Sequence, residues 1–302
     1  MRALITGATG FIGRRLLERI DEPVVVTRDP KRVQGKLDGA EIHAWDPMSG
    51  PPPPEALRGV EAVFHLAGEP IAEGRWNEAK RRRLRESRVV GTANLVEGIR
   101  RAERRPRVLV SASAIGYYGS RGDEVLTESS SAGNDFLAEI CAAWEAASAP
   151  AAELGVRVVN PRIGIVLGET GGALQKMLTP FKLGLGGRLG DGRQWMSWVH
   201  VDDVVGIMLM AADRADLRGP VNATAPKPVT NRDFTRTLAA VLHRPAILPA
   251  PAFGLRLLLG EFAEVLLGSQ RVLPKVAEAA GYRFQFSDLE SVLRSILDGA
   301  AA

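Results

Sequence analysis

The chain has 302 residues, 45% of them apolar, one cysteine, four histidines and a formal net charge of +4. That is the composition of an ordinary globular protein, with room for one large α/β domain or a cofactor domain with a smaller cap. No apolar run approaches the ~20 residues of a membrane span, a lone cysteine cannot build a disulfide framework, and the scattered histidines have no metal-ligand spacing.

The first strand, Arg2–Thr6, begins almost at the first residue. This leads to the expectation that no signal peptide precedes it and that the protein is cytoplasmic. A turn reading T-G-A-T-G-F-I-G (Thr6 to Gly13) follows and opens an apolar helix at Phe11. A glycine turn between a buried strand and a helix start is a pyrophosphate cradle, because free N–H groups and the helix dipole face the anion. Gly7 permits the tight turn, Gly10 the approach of the phosphates, and Gly13 close packing of the helix on the sheet. Thr9, Phe11 and Ile12 complete the cradle. The second strand, Pro23–Thr27, leads into Arg28, Asp29, Lys31 and Arg32. Many NAD-dependent enzymes place a ribose-binding acid here, and Asp29 could serve that purpose. A guanidinium instead suits a 2′-phosphate, so Arg28 and Arg32 favour NADP(H). After the third strand, Ile42–Trp45, Asp46 is placed either to meet the adenine amino group or to close a turn before Pro47. Pro51–Pro54 is a linking loop. The fourth strand, Ala62–Leu66, ends in Ala67-Gly68, a small-residue turn where Leu66, Ala67 and Gly68 pass the nicotinamide ribose.

A long helix, Asn77 to Glu103, carries Lys80-Arg81-Arg82-Arg83 and Arg100-Arg101 interleaved with acids. This is a solvated face, and without an aromatic platform it does not point to nucleic acid. The fifth strand, Arg107–Ser113, precedes a helix holding Phe136 to Glu145, in which Cys141 reads as packing. The sixth, Val156–Asn160, leads to Arg162. These alternating elements predict a Rossmann-type, doubly wound parallel α/β sheet. The second half reads differently: a glycine-rich stretch (Gly168–Gly192) with a helix from Leu174 to Leu183, an apolar helix (Val201–Ala212), loop from Pro220, a helix (Asn231–Leu242), a proline-rich link (Pro245–Pro251) and helices to the end. It predicts a cofactor domain over 1–165 with 198–215 returning to it, and a smaller, mainly helical substrate cap from 166–197 and 216–302.

T-G-A-T-G-F-I-G, H-L-A-G (His65–Gly68) and W-V-H-V-D-D (Trp198–Asp203) resemble the extended short-chain dehydrogenase/reductase superfamily. S-A-S-A-I-G-Y-Y-G (Ser111–Gly119), F-L-A-x-x-C-x-x-W-E (Phe136–Glu145), the run Gln194–Asp203, and Gln270–Pro274 with Gly281–Phe284 resemble its atypical epimerase-family branch of YfcH-like proteins. The resemblance covers essentially the whole chain. It implies a nicotinamide cofactor and a nucleotide-sugar epimerase or oxidoreductase class, with no known substrate.

Extended enzymes of this superfamily use Ser/Thr, Tyr and Lys, the last two as Y-x-x-x-K. Here Phe136 or Leu137 takes the tyrosine position and Ile140 or Cys141 the lysine position, and neither pair can move a proton. The serine is either Ser113 or absent in favour of Ala114. Ser111 counts among the cofactor contacts. Arg162 is placed with the cofactor or with a substrate diphosphate or carboxylate. Remaining catalytic candidates are Tyr117, Tyr118 and Glu69, the last as a general base if burial raises its pKa. Arg75, Arg193 and His200 are substrate-side candidates, with His200 orienting a loop while Asp202 and Asp203 cap a helix. Asn222 and Lys227 are weaker ones. The expected protein is an NADP(H)-binding oxidoreductase or epimerase with a small-molecule substrate and a second copy of itself as candidate partner. The alternative is a catalytically silent NADP(H) sensor or scaffold.

Overall fold

In chain order the strands are β1 (Arg2–Thr6), β2 (Glu22–Thr27), β3 (Glu41–Ala44), β4 (Ala62–His65), β5 (Val108–Ser111), β6 (Ser113–Ala114), β7 (Val125–Leu126), β8 (Arg157–Ile163), β9 (Ile165–Leu167), β10 (Trp195–Met196), β11 (Trp198–His200), β12 (Gly219–Ala223), β13 (Val229–Thr230) and β14 (Arg271–Val272). In this computed structural model, which describes residues 1–35, 37 and 39–299, the main sheet runs β3-β2-β1-β4-β5-β8-β12, and β6 adds to β8. Every pairing in it is parallel. Adjacent apolar residues on the central strands serve opposite faces. Ile5, Val25, Phe64 and Val110 enter one core, while Leu4, Val24, Val63 and Leu109 enter the other. That is why these strands read as continuous apolar runs rather than alternating ones. The strand order reverses between β1 and β4, which opens a crevice at their carboxyl ends.

The helices are α1 (Phe11–Leu17), α2 (Pro30–Val33), α3 (Glu78–Arg101), α4 (Phe136–Ser148), α5 (Gly172–Lys182), α6 (Val201–Asp213), α7 (Asn231–Leu242), α8 (Ala252–Leu259), α9 (Phe262–Leu267), α10 (Lys275–Ala279) and α11 (Leu289–Gly299). Helices α1 and α6 cover one face through Leu16, Val204, Ile207 and Met208. Helix α3 covers the other through Leu95, Val96 and Ile99. Side-chain caps fix the starts of α3 and α4, where Asn77 accepts from the Lys80 N–H and Asp135 from the Ala138 N–H. Helices α5, α7 and α11 share a separate core that includes Leu174, Phe181, Trp198, Phe234 and Leu293. This is the helical cap.

The expectation of a loop from Pro220 is corrected. Gly219–Ala223 is β12, an edge strand of the main sheet. Pro220 and Asn222 interrupt the apolar run that marks the other strands, and a proline is tolerated at an edge because one side of the strand needs no donor. The expected boundary at 216 shifts with it, since Ala277, Tyr282 and Phe284 also pack on the cofactor-domain core. Arg271–Val272 pairs with β7. Residues 300–302 of the expected cap lie outside the described residues. The fifth strand ends at Ser111, and Ala112 separates it from β6.

The C-terminal segment is tied to the sheet by Asp203 in the first turn of α6. Its fully buried carboxylate accepts from the Tyr282 hydroxyl (3.0 Å) and from the backbone N–H groups of Gln285 (2.8 Å) and Phe286 (3.0 Å). Burial outweighs these donors and pushes the Asp203 carboxyl above its ordinary range. Asp203→Ala leaves three donors without an acceptor and is expected to cost about 3 kcal/mol in urea-denaturation experiments. Asp202→Ala, which removes a carboxylate facing the partly exposed Arg15, is expected to cost about 1 kcal/mol or less. Equal costs would contradict this role for Asp203.

Candidate functional site

One hydroxyl joins the two turns that border the crevice. Thr6 Oγ1, at the end of β1, accepts from the backbone N–H groups of Leu66 (3.1 Å) and Ala67 (3.0 Å), and lies 2.7 Å from His65 Nδ1. With both backbone groups donating to it, its own proton goes to His65 Nδ1. The His65 ring is then protonated on Nε2 and donates to Thr92 Oγ1 at 2.9 Å. His65 is fully buried and its pKa falls to about 4, first through burial and then through the charge of Arg88.

The glycines around this hydroxyl have distinct duties. Gly7 has φ +71°, and a Cβ there would stand 2.9 Å from Ala67 N, so the first turn rests directly on the second. A Cβ on Gly13 would meet the Gly7 carbonyl oxygen at 2.2 Å. Gly13 therefore packs against the turn itself, a correction to the expected packing on the sheet. On Gly10 a Cβ would meet only the Gly7 carbonyl oxygen, at 3.2 Å, with open space beyond. Helix α1 has no side-chain N-cap, so its first N–H groups, on Phe11, Ile12 and Gly13, are available to an anion over Gly10. Thr9 is exposed beside them. The Phe11 ring is held by three glycines, since a Cβ on Gly168, Gly171 or Gly172 would come within 2.5, 2.7 or 3.0 Å of it. Ile12 packs on the first core.

At the end of β2, Arg28 and Arg32 are exposed and, among the described residues, form no ion pair. Asp29 instead caps α2, accepting from the Arg32 N–H at 3.2 Å. Asp46 closes a turn, accepting from the Met48 N–H (3.0 Å) and the Ser49 hydroxyl (3.1 Å). Leu66, Ala67 and Gly68 line the second turn.

The expectation of a raised pKa at Glu69 is corrected. Its carboxylate accepts from the buried Lys80 at 2.8 Å and faces Arg83 at 3.5 Å, and these partners hold it below the ordinary range. A carboxylate stabilised in this way is a poor general base at neutral pH.

Beyond β5 lies a polar chain centred on Glu145, a residue that sequence reasoning did not select as a site residue. Ser113 Oγ donates to Glu145 Oε1 at 2.7 Å, and the Arg162 guanidinium grips both carboxylate oxygens at 2.8 Å. Arg162 Nη1 also donates to Tyr118 Oη (3.0 Å), whose proton goes to Asn222 Oδ1 (2.7 Å). The Arg162 guanidinium stacks 3.4 Å from the centre of the Tyr117 ring. Burial opposes its charge, but Glu145 and Tyr118 together hold its pKa above the ordinary range. With every arm engaged inside the protein, Arg162 organises Glu145 rather than offering itself to a diphosphate. Burial raises the pKa of Tyr118, which stays a neutral structural phenol. The Ser111 hydroxyl is buried without a hydrogen-bond partner.

On α4, Phe136 packs edge-on against Trp76 at 5.6 Å, and Ile140 is buried in the same cluster. Burial of Cys141 pushes its thiol up to about 12. These positions form apolar packing, as the helical spacing implied.

His200 and the acids exchange their expected duties. His200 Nδ1 accepts from the Asp202 N–H at 3.2 Å, capping α6, and its ring lies 3.9 Å from that of Phe286. Arg75 is exposed in the loop before α3, with its side chain against Gly260. Trp76 anchors that loop through a 2.8 Å bond to the Ile71 carbonyl. Arg193 and Lys227 are exposed on the cap side.

Residues 3–223 match the NAD dependent epimerase/dehydratase family, and residues 250–296 match a domain of unknown function, DUF1731. The epimerase family protein SDR39U1 homolog, chloroplastic, of Arabidopsis thaliana is 41% identical, covering 98% of this chain and 87% of its own length. The crystal structure of human epimerase family protein SDR39U1 (isoform 2) with NADPH is 33% identical, with a TM-score of 0.87 and 99% of each chain covered. A nucleoside-diphosphate sugar epimerase from Corynebacterium glutamicum is 35% identical, with a TM-score of 0.79, covering 98% of this chain and 58% of its own.

The buried, neutral His65 generates a pH dependence. Its folded pKa, about 4, lies below the ordinary 6.5, so the unfolded chain binds the extra proton. Stability is full above pH 6.5 and falls as the pH drops toward 4, by roughly 3 kcal/mol in all. His65→Gln should flatten this part of a urea-midpoint profile. An unchanged slope would show that His65 is not its source.

Proposed function

The chain belongs to the NAD dependent epimerase/dehydratase family, and we propose that it binds NADPH in the β1–β4 crevice and acts as an oxidoreductase or epimerase on a small polar, nucleotide-linked substrate. The observation that carries this reading is the pair of glycine turns tied by Thr6, with open space over Gly10. The Gly7–Gly13 turn would hold the pyrophosphate, Arg28 and Arg32 the 2′-phosphate, and Leu66–Gly68 the nicotinamide ribose, with the Ser111 hydroxyl below it. When bound, NADPH supplies hydride-transfer chemistry.

The chain's own contribution is proton handling without tyrosine and lysine. Ser113 already gives its proton to Glu145, so its oxygen is available to accept from a substrate hydroxyl. Ser113 thereby orients the hydroxyl or carbonyl at which a proton is exchanged, with the ion-paired Glu145 serving as its anchor and not as a general base. Arg162 holds Glu145 in line through two bonds, and the burial of Ser113 shields its hydroxyl from bulk water.

The alternative, a silent NADPH sensor, is favoured by one observation, the apolar packing of Phe136, Leu137, Ile140 and Cys141 across the positions where the tyrosine and lysine would stand. Turnover separates the two readings. In a screen of carbonyl compounds and nucleotide sugars, an enzyme oxidises NADPH or interconverts a nucleotide sugar, and Ser113→Ala lowers kcat by ~10²-fold or more while leaving NADPH affinity unchanged. A protein that binds NADPH yet neither oxidises it nor interconverts any nucleotide sugar is the sensor.

Cofactor choice is tested by calorimetric titration of nucleotide-stripped protein. Micromolar NADPH binding with weaker NADH binding is expected. Arg28→Ala should cost NADPH about 2 kcal/mol and NADH little, and Gly10→Val should abolish both. Equal loss for both nucleotides would remove Arg28 from the 2′-phosphate, and no binding by the unmodified protein would overturn the reading.

A further inference from the structure

Helix α3 carries one arginine whose surroundings differ from those of its solvated neighbours. Arg88 lies beneath the second turn of the crevice, and a Cβ on Gly68 would stand 3.3 Å from its Cζ and 3.4 Å from Nη2. Its Nη1 is fixed by the carbonyls of Glu69 (3.1 Å) and Leu84 (3.0 Å), and the guanidinium lies 5.0 Å from the centre of the Trp144 ring. Among the described residues no carboxylate pairs with it. The two nearby acids are committed elsewhere, Glu69 to Lys80 and Arg83, and Glu145 to Arg162. Burial lowers the pKa of Arg88 from its ordinary value, as expected for a cation short of a counter-charge.

The groups around it are also short of partners. Nε and Nη2 of Arg88 meet no acceptor among the described residues. The indole N–H of Trp144 and the hydroxyl of Ser111 are buried and meet no hydrogen-bond partner among the described residues. Cys141, one of the two α4 positions where a lysine of the usual pair would fall, is buried and neutral. The usual pair puts its cation on α4. Here α4 is apolar at that place, and a cation reaches the same neighbourhood from α3. The two residues cannot be interchanged without other changes, because the α3 route passes under a glycine that leaves it room.

We propose that Arg88 is the cation of the nicotinamide end of the crevice, donating through Nε and Nη2 to the hydroxyls of the nicotinamide ribose in place of the absent lysine. This rests on the NADPH reading above. It makes Gly68 a specificity-determining position for Arg88 as much as for the cofactor, and it gives the charge needed beside the ribose without a titratable lysine.

The test compares NADPH with 2′,5′-ADP, which carries the adenosine half and the 2′-phosphate but no nicotinamide ribose, against Arg88→Met and Arg88→Lys. Thermal melts report whether each variant is folded. Arg88→Met is expected to weaken NADPH by ~10-fold or more, as for a lost charge-assisted contact, and to leave 2′,5′-ADP unchanged. Arg88→Lys keeps the charge without the fork and should fall between the parent and Arg88→Met for NADPH, again with 2′,5′-ADP unchanged. If Arg88→Met fails to fold, the Arg88→Lys comparison decides alone. Unaltered NADPH affinity in a folded variant, or equal weakening of both ligands, overturns the assignment while leaving the cofactor reading standing. Failure of the unmodified protein to bind either ligand overturns both.

Discussion

The crevice depends on the hydroxyl of Thr6. A single oxygen accepts two backbone N–H groups from the turn after β4 and passes its own proton to His65, which passes another to Thr92 on α3. Two turns from separate βα units are thereby held at one separation. Gly7 is the steric consequence, because at that separation it has no room for a Cβ, while Gly13 is closed off by the Gly7 carbonyl within the first turn. Gly10 has room, and that space faces the crevice. The site is therefore shaped before any ligand arrives, and little ordering remains to oppose binding.

Around this fixed crevice the protein has two cationic arrangements that differ in kind. Arg162 is fully committed, with a carboxylate, a phenol and an aromatic face consuming its donors. It works by positioning Glu145, and through Glu145 the hydroxyl of Ser113. Arg88 is only half committed, with one nitrogen fixed and two that meet no acceptor among the described residues. The spare donors of the part-buried Arg88 are open to a ligand, whereas those of Arg162 are consumed within the protein, so a ligand role suits Arg88 and a structural role suits Arg162. At the start of helix α4, Phe136 and Ile140 join Trp76 in an apolar cluster that pins the loop before α3.

Much of this was legible in the sequence, for physical reasons. Central parallel strands are buried on both faces and so read as apolar runs, and the glycine cradle is a local device whose residues are contiguous. Helix α7 was read with its true bounds because a threonine cap and an amphipathic period mark both ends. Strand β12 was hidden because an edge strand tolerates Pro220 and Asn222. Glu145 and Arg162 meet only through the register that sets β6 beside β8, which no spacing along the chain reveals. Arg88 looks like any other arginine in a basic helix, and only its place against Gly68 and the Trp144 ring distinguishes it. His200 was read as the loop residue and Asp203 as the cap, since both roles fit a helix start. Which one caps depends on where the C-terminal segment places its donors.

The most direct measurement is amide hydrogen exchange with and without saturating NADPH. If both turns form one preformed cradle, NADPH slows exchange at Ala8–Arg14 and at Leu66–Glu69 together, with a smaller effect at Arg28–Val33 and little on α7 or α11. Slowing at one turn without the other, or protection confined to the cap, would contradict the account.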